Sequence, residues 1–93
     1  MTVGVLFLEL WVAESGSLKG KRMAIKSLKD RLRHRFNVAV AEVDHVETWQ
    51  RSTVAVVAAG SDRRYVNGLL DQAARVADQS ARLQVLETRL EWR

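Results

Sequence analysis

Residues 17–37, SLKGKRMAIKSLKDRLRHRFN, hold eight of the fifteen Lys and Arg residues of a 93-residue chain and a single acid, Asp30. At 3.6 residues per turn, Leu18, Ile25, Leu28, Leu32 and Phe36 gather on one side of a helix. Lys19, Arg22, Lys26, Lys29 and Arg33 recur at alternating spacings of three and four on another side. The pattern predicts an amphipathic helix from about Leu18 to Arg35, one side packed on a core and the other carrying a positive field. Ser17 is placed to cap it, its hydroxyl accepting from an orphan backbone amide, and Asn37 is placed to stop it. Gly20 in the first turn costs about 1 kcal/mol relative to Ala. The segment carries a net +7 and the whole chain +4, so everything outside it sums to −3. The basicity is local.

Working outward, Val3 to Val12 is rich in branched and aromatic residues and reads as a central strand. Its even positions, Leu6, Leu8 and Leu10, are uniformly apolar and are expected to face the helices; Phe7, Glu9 and Trp11 lie on the other face. Glu14, Ser15 and Gly16 are expected to turn the chain into the helix. On the other side, Val38 to Val43 reads as a second strand, followed by a polar connection from Asp44 to Gln50 longer than a tight turn. Thr53 to Ala59 is a short run of small apolar residues bounded by Gly60 and Ser61, read as a buried third strand. Ser61 or Asp62 then caps a second helix whose stripe is Val66, Leu69, Leu70, Ala73, Val76 and Ala77, ending near Gln79. Leu83 to Trp92 alternates as a fourth strand, with apolar residues on both parities.

The resulting order βαββαβ predicts an α+β, ferredoxin-like single domain over residues 1–93, with two helices on one face of a four-stranded antiparallel sheet. The most apolar strands, one and three, belong in the centre, and right-handed crossovers select the order 4-1-3-2. At this length roughly 60 to 65% of the unfolded surface is buried, so one modest core is expected. No apolar run approaches a membrane span, and Glu9 interrupts the one N-terminal stretch long enough to suggest a signal peptide. The absence of cysteine excludes disulfides, thiolate metal sites and a cysteine nucleophile together, and favours a cytoplasmic address.

Ser17 to Arg22 (SLKGKR), Arg35 to Val38 (RFNV) and Ala41 to His45 (AEVDH), followed by Trp49, Gln50 and Arg51, together resemble the YlxP-like family of small bacterial proteins of unknown function. The resemblance runs from the first strand to Trp92 and departs at Gly20, where the family commonly has an acid. It implies the ferredoxin-like fold. Similar proteins tend to be encoded near translation and ribosome-maturation factors, so the resemblance implies an RNA or ribosomal-subunit partner. It transfers no catalytic residue.

Three places on the chain invite a function, each with a plainer reading beside it. Lys19, Arg22, Lys26, Lys29 and Arg33 are spaced to contact RNA phosphates; the plain alternative is a solvated helix face. Phe7 and Trp11 suit base stacking or, better, a homodimer or partner interface on the open sheet face, since strand three lacks a second aromatic set and Glu9 separates the two rings. Asp44, His45, Trp49, Gln50 and Arg51 concentrate hydrogen-bonding groups that add to one edge of the basic surface or simply form a bonded loop anchored by Trp49. With one His beside two carboxylates, this segment names no catalytic set and no metal or cofactor. Gly16 to Lys21 lacks the spacing and the Lys-Ser/Thr ending of a phosphate-binding loop. The expected function is therefore non-enzymatic binding.

Overall fold

The computed structural model describes residues 1–13 and 16–93, so the expected turn at Glu14 and Ser15 lies outside the described residues. The elements are β1 (Thr2–Val12), α1 (Leu18–Arg35), β2 (Ala39–Asp44), β3 (Arg51–Gly60), α2 (Arg63–Asp78) and β4 (Leu83–Trp92). All strand pairs are antiparallel, in the order β2-β3-β1-β4, which is the ferredoxin-like arrangement read in the opposite direction. β1 and β3 occupy the middle, as their apolar content requires.

Leu8, Leu10, Val54 and Val56 from the sheet meet Leu28 and Leu32 of α1 and Val66 and Leu70 of α2 in one core, each side chain essentially without solvent contact. Burial of one such leucine is worth about 1.5–3 kcal/mol. Gly4 sets how near α2 can come. A Cβ there would lie 2.8 Å from Leu70 Cδ1 and 3.1 Å from Val66 and Trp92, so a side chain at this position would push helix and sheet apart. Trp92 is then covered from the start of α2 by Arg63, whose guanidinium carbon stands 4.4 Å from the ring centroid.

The helix ends follow local chemistry. Ser17 Oγ accepts from the Gly20 amide at 3.1 Å, and Asp62, rather than Ser61, caps α2 by accepting from Arg64 N at 2.9 Å. α1 ends at Arg35 as expected, with Phe36 rather than Asn37 as its C-cap, donating to the Leu32 carbonyl, and β2 begins at Ala39, one residue later than expected. β4 resolves its mixed parity through a bulge. Glu9 pairs with Glu87 while Leu10 pairs with Val85, so Leu86 is the extra residue and the inward parity changes across it. Leu83 and Val85 face the helices before the bulge; Thr88, Leu90 and Trp92 do so after it, opposite Leu8, Leu6 and Gly4.

Candidate nucleic-acid interface

α1 lies beside the free edge of β2, and the contact between them decides which of its cations meet solvent. Arg33 reaches over the edge, donating through Nη2 to the Val40 carbonyl at 2.7 Å, while its Nη1 lies 3.9 Å from Asp30 Oδ1. Lys26 donates to Asp30 Oδ2 at 2.7 Å, one turn apart on the exposed side. The Lys26 hydrogen bond holds the Asp30 carboxyl below its ordinary pKa of 3.8, helped by the charges of Lys26, Arg33 and Lys29 against a smaller opposing effect of desolvation. Asp30 therefore cancels one unit of the positive charge. Among the described residues, Lys19, Arg22 and Lys29 have no hydrogen-bond or ion-pair partner.

Arg22, Lys26, Lys29 and Arg33 line a groove of about 300 Å³ between α1 and β2, floored by Ile25 and closed by Asp30 and Glu42. Four of the five stripe residues thus converge on one hollow, and Lys19 stands exposed toward the helix N-terminus. The remaining cations of α1 turn elsewhere. Arg31 donates to Ser80 Oγ at 2.8 Å on the far side of the helix, and Arg35 stacks on Phe36 at 5.4 Å.

Lys21, counted in the +7 of this segment but not on its basic stripe, is the functional residue that the sequence reading did not single out. It is 0% exposed. Its ammonium pairs with Glu42 Oε2 and donates to the carbonyls of His45 at 2.7 Å and Val46 at 3.1 Å, which uses all three of its donors. Glu42 Oε2 also accepts from the buried Ser52 hydroxyl at 2.6 Å. The signal was present in the sequence, because positions 21, 25, 28 and 32 share the i, i+4, i+7, i+11 spacing of the buried stripe.

This clasp organises the 44–50 connection. His45 stands in the left-handed region at φ 58°, its amide donating to Asp44 Oδ1 at 2.8 Å and its carbonyl accepting from Thr48 N at 3.1 Å as well as from Lys21. Trp49 does not anchor the hairpin: its side chain is 53% exposed, and the anchoring contact comes from Lys21. Gln50 offers its carbonyl to Val12 N at 3.0 Å. Arg51 leaves the group altogether; it sits opposite Trp11 on the open sheet face with Nη2 3.8 Å from Glu9 Oε1, away from the basic groove.

On that open face, Phe7 lies under the Arg89 guanidinium at 4.4 Å and Trp11 is 37% exposed. Glu9 between them accepts from the Thr53 hydroxyl at 2.7 Å. The two rings do not form one stacking platform. Among the described residues no three His, Asp or Glu side chains cluster as a metal site would require, and no helix is long and apolar enough to cross a membrane.

Fold and site together define a small ferredoxin-like α+β protein with one basic groove beside a sheet edge and a buried lysine clasping the adjoining loop. A model of the family described as "Protein of unknown function (DUF503)" matches residues 3–90, and the chain belongs to that family. It is 30% identical over 90 residues to the "Uncharacterized protein YlxP" of Bacillus subtilis (strain 168), covering 97% of this chain and 98% of the relative.

Proposed function

We propose that this protein is a non-enzymatic, cytoplasmic RNA-binding protein whose α1–β2 groove holds the phosphate backbone of a structured RNA, with the ribosome as the natural source of such RNA. The observation that carries this reading is the convergence of Arg22, Lys26, Lys29 and Arg33 on one hollow, in a chain whose net charge outside residues 17–37 is −3. Cations fixed along a rigid helix at about 5 to 6 Å intervals neutralise successive phosphates and release their counterions. Arg22 and Lys29 are unspent, Lys26 exchanges Asp30 for phosphate at little cost in water, and Arg33 stays tied to the edge of β2. Such contacts read charge and shape, so sequence selectivity is not expected.

The test is binding of the purified protein to ribosomal subunits and to structured RNA at several salt concentrations. Three or four phosphate contacts, from Arg22, Lys26, Lys29 and Lys19, give a double-logarithmic salt slope of roughly −2 to −4. The triple change Arg22→Glu, Lys26→Glu, Lys29→Glu is expected to abolish binding while leaving far-UV circular dichroism unchanged, because none of the three touches the core. Arg33 is left intact since it secures Val40. Binding that survives the triple change, or that shows no salt dependence, eliminates the groove as the site.

A further inference from the structure

The sheet has a second edge whose pattern suits a copy of itself. β4 runs ten residues from Leu83 to Trp92, pairs among the described residues only with β1, and contains neither lysine nor proline. The amide of Arg93 donates to Val3 O at 2.8 Å, and the register continues through Val5 with Glu91 and Phe7 with Arg89. Antiparallel alternation then turns the backbone groups of Thr88, Leu90 and Trp92 outward, away from β1. Leu90 is 38% exposed beside them. A shallow hollow of about 170 Å³ between this edge and α2 has a mixed lining, Leu6, Leu70, Ala74 and Leu90 beside Asn67, Asp71 and Thr88, so some apolar surface accompanies the unpaired backbone.

We propose that two copies of this chain pair antiparallel through β4 about a two-fold axis at Leu90, joining their sheets into one of eight strands. Charge decides the register. An axis at Arg89 sets that arginine against itself and Glu87 against Glu91 of the second copy. An axis at Leu90 sets Arg89 opposite Glu91 and Glu87 opposite Arg93, each twice by symmetry, and places Leu90 on Leu90 and Thr88 opposite Trp92. The Arg89 and Glu91 positions fall at a non-hydrogen-bonded pair, where side chains approach most closely. Within one chain Glu91 already accepts from Arg89 and Arg93 at 2.9 Å, so all these groups lie in one layer on the open face and gain a further opposite charge on pairing. The inference is independent of RNA binding, because the basic groove lies at the β2 edge, on the opposite side of the sheet.

The test combines sedimentation velocity from low micromolar to millimolar protein with residue-resolved amide exchange. A shift from 10.5 kDa to twice that mass is expected, with exchange at Leu90 and Thr88 slowing as concentration rises while Arg89, already bonded to β1, stays constant. Arg89→Glu, which faces Glu91 of the second copy with a like charge, is expected to weaken the dimer roughly tenfold or more. The double exchange Arg89→Glu with Glu91→Arg is expected to restore it, which a merely damaged fold would not permit. A chain that stays monomeric over the whole range, or a dimer in which the Leu90 amide remains exposed, overturns the proposal. The second result assigns self-association to the open face of Phe7 and Trp11.

Discussion

The two edges of this sheet are finished in opposite ways. At β2 the strand is short, and long cations from α1 reach across: Arg33 takes the Val40 carbonyl and Lys21 takes those of His45 and Val46 just beyond it. At β4 the strand is ten residues long, and the helix beside it, α2, spends Arg75 on its own Asp71 at 2.8 Å. Exposed strand edges are templates for further pairing, and charged side chains laid over them are a common defence. The same helix that makes the β2 edge electropositive thus also closes it to a further strand, while the β4 edge keeps its backbone groups available.

The strongest way to break the β2 side is Lys21→Met, which keeps the aliphatic stem and deletes the ammonium. Glu42 and two carbonyls then lose their shared donor in a part-buried setting, and the loss is expected to be about 3–5 kcal/mol, read by urea denaturation. That is a large share of the total stability of a domain this size, roughly 5–15 kcal/mol. Adding Glu42→Gln is expected to recover part of it, since the uncompensated charge is removed.

Arg33→Ala is the next test and the one that compares the edges directly. It deletes a single hydrogen bond to Val40, worth about 1 kcal/mol. It should also leave the β2 edge as open as β4, adding a concentration-dependent association that survives the Arg89→Glu change. If sedimentation of the Arg33→Ala, Arg89→Glu variant stays monomeric, side-chain cover is not what separates the two edges.

Asp30 gives the smallest effect. Its folded pKa lies below the ordinary 3.8, so its contribution is fully present above that value and is lost as pH falls through the lower folded value. Asp30→Asn should therefore lower the melting temperature slightly at neutral pH and not at all once the native carboxyl is protonated. A gap between the two proteins that is unchanged in strong acid would show that the carboxylate does not brace Arg33 and Lys26.

The fold was legible in the sequence where one periodicity dominates. Leu6, Leu8 and Leu10 fixed the inner face of β1, and the stripes of α1 and α2 named the core that forms except for Leu18, which stays outside it. β4 was ambiguous because the extra residue at Leu86 changes the parity halfway, and alternation alone cannot locate a bulge. The groove was legible as a stripe of charges. What composition concealed was that a lysine on the apolar spacing is bound inward: Lys21 enters the +7 of its segment although its partners, two backbone carbonyls and a glutamate, lie 21 to 25 residues away and hold it in the interior. Trp49 was given the anchoring role for its size, yet position in the loop leaves it in solvent.

The clasp also sets an order of events. Lys21 bridges 24 and 25 residues to the two carbonyls, so the 44–50 connection cannot reach its final shape until α1 has docked on the sheet. The closing of that loop, including the left-handed turn at His45, is therefore expected late in folding, with a φ-value near zero for Lys21→Met. If loop and helix open as one unit, the Thr48 amide and those near Lys21 exchange with solvent at one shared rate; faster exchange at Thr48 alone would show that the loop opens by itself.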